Sequence, residues 1–178
     1  MRQPFPARRN GAPKGEYGCA RGAFRGTAMA RMDEFRLRFG IPDLELSCPD
    51  GRSVNPSTFV GHQLVVLFLP LEEGAAVREI GDYARFAQGF SDNDVWVLNI
   101  VKEAKPSLAV RGACHALASD PHDEAWRAFE RLADRRRSSP RKGGAVYLFG
   151  RGGGLMRAWS GPGHARDVVR ELHRQTGQ

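Results

Sequence analysis

The segment between Pro70 and Glu79 has the order of features that proteins use to build a reactive thiol. A continuous apolar run at residues 64–69 leads through Pro70 into an acidic, amphipathic stretch that is typical of a helix. Amides at the N-terminus of a helix, together with a nearby cation, lower the pKa of a cysteine and generate the nucleophilic thiolate. This segment contains no cysteine, and the small apolar residues Ala76 and Val77 follow its acidic start. Methyl and isopropyl groups have no nucleophilic chemistry, so the segment predicts a site without its reactive group.

The three cysteines of the chain lie elsewhere, at Cys19, Cys48 and Cys114. No two of them form a Cys-x-x-Cys pair, so their spacing fits neither a redox dithiol nor a zinc site. Cys114 is the best candidate for a reactive thiol because His115 follows it and Arg111 is near. Neighbouring side chains on an extended segment point to opposite faces, however, and we favour a buried small hydrophobe at Cys114. Scattered cysteines are typical of the reducing cytoplasm, which is the location we expect.

The sequence also gives no pattern for a metal or a cofactor. No two histidines of the second half share the helical i, i+4 spacing, with an added carboxylate, that would hold zinc. The glycines at residues 152–154 join two predicted strands and do not open a helix, so they are not a phosphate-binding loop. We therefore expect no cofactor and no metal. The histidines concerned are His115, His122, His164 and His173.

Hydrophobic patterning predicts an α/β domain. The apolar run at residues 64–69 predicts a strand that is covered on both faces, and residues 95–101 predict a second strand. Between them, apolar residues three or four apart from Glu73 to Phe90 predict one helix. The two strands of this β-α-β unit should be parallel and their crossover right-handed. Further strands are predicted at residues 44–46 and near 54, which form an N-terminal hairpin, and at residues 115–118, 145–149 and 155–159.

Three more helices are predicted downstream. Residues 104–112 are compatible with a short helix. Asp120 is a good N-cap for the next helix, with Pro121 in its first turn. A final helix follows the glycine- and proline-rich break at residues 161–163. The buried faces of the last two helices are predicted to consist of Trp126, Phe129 and Leu132, and of Val168, Val169 and Leu172.

Several pieces of the sequence occur in a characteristic order. They are Ile41-Pro42-Asp43-Leu44 with Pro49-Asp50-Gly51, the run from Leu64 to Pro70, Val95-Trp96-Val97-Leu98-Asn99-Ile100, Ala118-Ser119-Asp120-Pro121, and Ala145-Val146-Tyr147-Leu148-Phe149. In this order they resemble a peroxiredoxin of the alkyl hydroperoxide reductase/thiol-specific antioxidant (redoxin) type, over about residues 40–175. The resemblance implies a thioredoxin-like fold, in which helices flank a central mixed β-sheet, and a homodimer.

Members of this family carry Pro-x-x-x-Thr-x-x-Cys-Thr-x-x-Glu or a close variant, with the peroxidatic cysteine in the first turn of a helix. Pro70 and Glu79 match the two ends of the motif if a short deletion is allowed, which places Glu73 at the threonine and Ala76 at the cysteine. An ungapped count from Pro70 places Val77 at the cysteine instead. The resemblance therefore implies a degenerate pocket formed by these five residues, in which a small apolar residue replaces the nucleophile.

The family also has an arginine on the strand before the last hairpin, where it stabilises the thiolate and the bound peroxide. Aligning residues 147–149 with that strand places Gly144 at the arginine, with Arg141 a few residues too early. A shift of the loop would bring Arg141 into the site, although we favour a solvated charge cluster with residues 135–137. The acidic start of the predicted helix is a further departure, because carboxylates raise the pKa of a neighbouring thiol.

The charge of the chain is concentrated at its N-terminus. Residues 1–31 hold seven basic residues against one acidic residue and account for six of the seven net positive charges of the 178-residue chain. This segment has too few apolar residues to fold, so we predict a basic, disordered tail at residues 1–31 and one redoxin domain at residues 32–178. The tail has three interpretations: an organelle-targeting segment, an arm that contacts anionic polymers or, as we favour, an extension upstream of a translation start at Met29 or Met32.

Two functional classes fit these observations. We favour a degenerate redoxin domain that binds a protein or a small ligand where peroxide would have bound. The alternative is a thiol-dependent peroxidase or oxidoreductase that uses a relocated cysteine, Cys114 or Cys48. Nucleic-acid binding through the tail ranks last, because the tail lacks the interleaved aromatic residues of a stacking surface. No apolar run reaches the roughly 18 residues of a membrane span, so none is predicted.

Overall fold

The computed structural model of the chain describes residues 40–103, 105, 108, 114–133 and 143–176. Five of the predictions lie outside these residues: the basic tail, Cys19, Arg141, the charge cluster at residues 135–137 and all but two residues of the helix at residues 104–112. Among the helices that are described, none is both long enough and apolar enough to cross a membrane.

Seven strands form one mixed sheet in the described part of the chain. They are β1 (Leu46–Ser47), β2 (Ser53–Val54), β3 (Gln63–Phe68), β4 (Val95–Val101), β5 (His115–Ser119), β6 (Ala145–Phe149) and β7 (Leu155–Ser160). Their order across the sheet is β2-β1-β5-β4-β3-β6-β7, with β3, β4 and β5 parallel and the other neighbours antiparallel. The predicted strands, the N-terminal hairpin and the parallel pairing are confirmed, with ends shifted by at most two residues.

Helices cover both faces of the sheet. They are α1 (Glu73–Ala84), α2 (Ala87–Asp92), α3 (Glu124–Leu132) and α4 (Ala165–Thr176), and a short 3-10 helix spans Pro56–Phe59. Side chains of β3 alternate between the two faces, so that Val65 and Leu67 pack with α1, α2 and α4 while Leu64, Val66 and Phe68 pack with α3. The predicted inward residues of the last two helices agree: Trp126, Phe129, Val168 and Leu172 are buried, and Leu132 and Val169 are half-buried against the core.

The single helix predicted from Glu73 to Phe90 is wrong, because the chain forms two helices there. Helix α1 ends at Ala84, and Phe86 has non-helical dihedral angles (φ −102°, ψ 5°) before α2 begins. The break lets Phe90 lie beside two other rings, with centroid distances of 6.2 Å to Tyr83 and 6.3 Å to Phe86. Both helices turn apolar residues toward the same core, and periodicity alone cannot distinguish that arrangement from one continuous helix.

The predicted start of α3 is also wrong, by three residues. The helix begins at Glu124, its N-cap is Asp123 in a left-handed conformation (φ 59°), and Pro121 lies outside it. Asp120 nevertheless satisfies the helix start, because its buried carboxylate reaches across the intervening turn. It accepts hydrogen bonds from the amides of Glu124 (2.8 Å), Ala125 (3.2 Å) and Trp126 (3.0 Å).

Replacing Asp120 by alanine should lower the free energy of unfolding by about 2 kcal/mol, because the first amides of α3 lose a charged acceptor. Asp120→Asn keeps one acceptor oxygen and should lose about half as much. Denaturant unfolding followed by circular dichroism measures both variants. Equal stability of the wild-type protein and Asp120→Ala would show that this carboxylate does not stabilise the helix.

Candidate functional site

A cleft lies where the carboxyl ends of β3 and β4 meet the start of α1. This is the edge of an open α/β sheet at which ligands commonly bind. The cleft has a volume of about 270 Å³, and its floor is apolar, since Ala76, Val101 and Leu108 are at most 4% exposed. Its lining consists of Pro70, Leu71, Glu73, Ala76, Val101, Lys102, Glu103, Lys105 and Leu108.

Ion pairs surround the mouth of the cleft. The Lys105 ammonium donates to a Glu73 carboxylate oxygen at 2.9 Å, and Lys102 donates to Asp123 at 3.1 Å. The hydrogen bond to Glu73 is the main reason why the pKa of Lys105 is raised. Both lysines that line the cleft therefore already have an anionic partner.

Three of the five residues predicted for the degenerate pocket line this cleft together. Pro70 lies two residues after the end of β3, Glu73 is the first residue of α1, and Ala76 forms part of the floor. Val77 is 45% exposed and does not line the cleft. Of the two positions that the sequence left open for the missing cysteine, only Ala76 therefore faces the cleft.

Glu79, the fifth of these residues, points away from the cleft toward the start of α4. Its side chain is buried, and one carboxylate oxygen accepts a hydrogen bond of 2.8 Å from the amide of Gly163. The other oxygen has no hydrogen-bond partner among the described residues. Burial raises the pKa of Glu79, while the bond from Gly163 and the proximity of His164 act in the opposite direction.

Tyr83 lies one turn further along α1 and is also buried. Its hydroxyl has no partner within the described part of the chain, and burial, followed by the charge of Glu79, raises the pKa of Tyr83 well above its ordinary range. The contact between α1 and α4 thus holds a buried carboxylate beside a buried phenol, outside the cleft.

Gly144 occupies the position that the family resemblance assigns to an arginine, and its backbone has no room for one. Its φ is +78°, in the left-handed region that disfavours side chains. A Cβ atom there would lie 2.5 Å from the carbonyl oxygen of Phe68 and 3.2 Å from the nitrogen of Pro70. Any residue other than glycine would push the backbone of β6 away from the exit of β3.

The two described cysteines do not reach the cleft. The carbonyl of Cys114 accepts a hydrogen bond from the amide of Val97, near the start of β4, whereas the cleft is at Val101. Four residues of strand separate those positions by about 13 Å. At Cys48, in the turn after β1, partial burial and then Asp50 raise the thiol pKa, which lowers the thiolate fraction at neutral pH.

The half of the cleft that follows β4 was not predicted from the sequence. Lys102 and Glu103 come directly after this strand, Lys105 lies two residues later, and Leu108 completes the floor. The signal was available, because the carboxyl ends of neighbouring parallel strands meet at the same sheet edge. The pairing of Phe68 with Ile100 in the β3–β4 register places these residues opposite Pro70.

The sequence matches no protein-family model and no curated protein. Solved structures with similar folds include peroxiredoxin Q from Xanthomonas campestris, at a TM-score of 0.61 and 21% identity over 75% of this chain and 92% of that one. The mitochondrial 2-cys peroxiredoxin of Plasmodium falciparum has a TM-score of 0.58 and 14% identity, over 79% of this chain and 96% of that one. The exposed lipoprotein thioredoxin Etrx1 of Streptococcus pneumoniae has a TM-score of 0.55 and 15% identity, over 75% of this chain and 99% of that one. These likenesses confirm the predicted thioredoxin-like fold and, at the level of the fold, the resemblance to peroxiredoxins.

Gly144→Ala should lower the free energy of unfolding by at least about 2 kcal/mol, because it combines a left-handed backbone with a steric clash. Gly152→Ala is the matched control. A Cβ atom at Gly152 meets nothing within 4 Å and its φ is not positive, so the change should stay within about 0.5 kcal/mol. Thermal and urea unfolding of the two variants test the difference, and a neutral Gly144→Ala would show that the backbone around Gly144 and Phe68 adapts to a side chain.

Glu79→Gln should alter how stability depends on pH. Because the folded-state pKa of Glu79 is raised, the native protein binds this proton more tightly than the unfolded chain does. The contribution that this tighter proton binding makes to the free energy of unfolding is therefore fully present below the unfolded-state pKa. It is lost as the pH rises through the folded-state pKa of Glu79. Glutamine cannot ionise, so the stability of Glu79→Gln should not fall over this interval and should exceed that of the wild-type protein at pH 7. Urea midpoints from pH 4 to 8 measure the effect, with the exposed Glu45→Gln as control; parallel wild-type and Glu79→Gln profiles would contradict it.

Proposed function

We propose that this redoxin-fold protein no longer reduces peroxide at the cleft and acts as a binding module there. The observation that carries the proposal is the position of Ala76. Its methyl group lies in the floor of the cleft near the start of α1, where a thiol would be activated by the helix amides. The cleft remains as a concave site with an apolar floor and a charged rim, a combination that ligand pockets use for burial and for orientation.

Two further features support the loss of peroxide chemistry. Gly144 leaves no space for a side chain where the resemblance places the stabilising arginine. Glu72 and Glu73 stand at the start of α1, where their charges would raise the pKa of a neighbouring thiol and so reduce its thiolate fraction. Both changes disfavour an anionic nucleophile in the cleft.

We also propose that the chain belongs to the peroxiredoxin family and works in the cytoplasm as a homodimer. The ordered set of sequence pieces and the likeness of the fold support the family assignment. In this proposal, residues 32–178 form the functional redoxin domain, and residues 1–31 are a tail that is not required for binding.

The reduced full-length protein should consume hydrogen peroxide or an alkyl hydroperoxide no faster than the free thiols of its cysteines do. Stopped-flow measurement beside the variants Cys48→Ser and Cys114→Ser tests this, and mass spectrometry after limiting peroxide reports any sulfenic acid. Rapid consumption that disappears in Cys114→Ser, with prompt oxidation at that residue, would establish the alternative function, a thiol-dependent peroxidase with a relocated cysteine.

A further inference from the structure

We infer that the occupant of the cleft is an uncharged small organic molecule with an apolar body. The inference rests on the proposed binding function and adds the chemical class of the ligand. Three properties of the cleft carry it: the apolar floor, the pairing of its lysines and, among the described residues, the small amount of exposed apolar surface around it.

The floor selects an apolar body of limited size. Ala76, Val101 and Leu108 are almost completely buried and present only hydrocarbon. The volume of about 270 Å³ limits the occupant to a small compound. Every methylene of that compound that becomes buried against the floor would add favourable transfer free energy.

The rim disfavours an anion. Lys105 is paired with Glu73 and Lys102 with Asp123, so an anionic ligand would have to compete with a carboxylate for either cation. Glu103 adds another negative charge to the lining. A cationic ligand would lose part of its hydration shell against the apolar floor, which costs free energy that an uncharged ligand does not lose. An uncharged ligand avoids both conflicts and needs no ion pair to break.

The surroundings favour a small molecule over a protein partner. The described residues include four large hydrophobic side chains that are exposed, and Leu71 alone among them lines the cleft. The interface core of a protein partner would need a contiguous apolar patch around the opening. A single exposed leucine at the mouth of a concave site fits the entry of a small compound.

Three probes with the same six-carbon chain test the class: 1-hexanol, hexanoate and hexylammonium. Titrations of the full-length protein at neutral pH, followed by amide NMR shifts of Ala76, Val101 and Leu108, give the dissociation constants. We expect 1-hexanol to bind about twofold to fivefold more tightly than either ion, which is the range set by exposed ion pairs. Its affinity should also be insensitive to salt.

Glu73→Gln provides a second readout because it leaves Lys105 without this partner. The affinity of hexanoate relative to that of 1-hexanol should then rise about threefold. Glu171→Gln is the matched control, since it removes one negative charge from α4, where Glu171 pairs with Arg157 and Arg174. This control should leave all three affinities unchanged.

The outcomes separate the inference from the function on which it rests. Tighter binding of hexanoate or hexylammonium to the wild-type protein would overturn the uncharged class while leaving a binding cleft. A Glu73→Gln variant in which the affinity of hexanoate relative to that of 1-hexanol is unchanged would overturn the role of the ion pair. If none of the three compounds shifts the amides of the cleft, small-molecule binding at this site is itself contradicted.

Discussion

The structure depends on the burial of β3 on both faces of the sheet. Residues 64–68 are at most 2% exposed, and their backbone pairs with β4 on one side and β6 on the other. Because side chains alternate along a strand, this one segment contributes to both hydrophobic clusters of the domain. The helices on the two faces are thus packed against the same five residues of β3.

The cleft is a consequence of how β3 ends. Pro70 carries the chain off the sheet between the end of β4 and the start of β6, and Gly144 packs its backbone directly against this exit. These contacts involve main-chain atoms and apolar side chains, so they persist whichever residue stands at position 76. A fold can therefore keep the shape of a site after the reactive group has gone, and the function must be argued from the side chains that remain.

Helix α1 serves two different environments. Ala76 faces the cleft, whereas Glu79 and Tyr83 lie on the same buried face but about one and two turns further along, at the contact with α4. The helix rises about 1.5 Å per residue, so Glu79 lies about 4.5 Å beyond Ala76 along the helix axis. At that position its carboxylate contacts the amide of Gly163 and not the cleft. Glu79, which matches the last residue of the family motif, therefore joins α1 to the start of α4 in this chain and does not line the cleft.

The sequence determined the strands and the general place of the cleft, because continuous apolar runs, a proline at the end of β3 and the β-α-β order are local signals. It also determined that no thiol stands at the start of α1. The helix boundaries were harder to predict from the sequence. The break at Phe86 depends on packing, and the capping of α3 by Asp120 depends on hydrogen bonds that span a turn.

The tertiary structure alone decided which residues share the site. It placed Ala76 in the floor, left Val77 exposed, turned Glu79 toward α4 and separated Cys114 from the cleft by most of the length of β4. It also brought Lys105 to Glu73 across 32 positions of sequence. Spacing along a chain specifies the face of a helix or strand, but the neighbours that meet that face are set by strand pairing between distant segments, which the sequence pattern does not encode residue by residue.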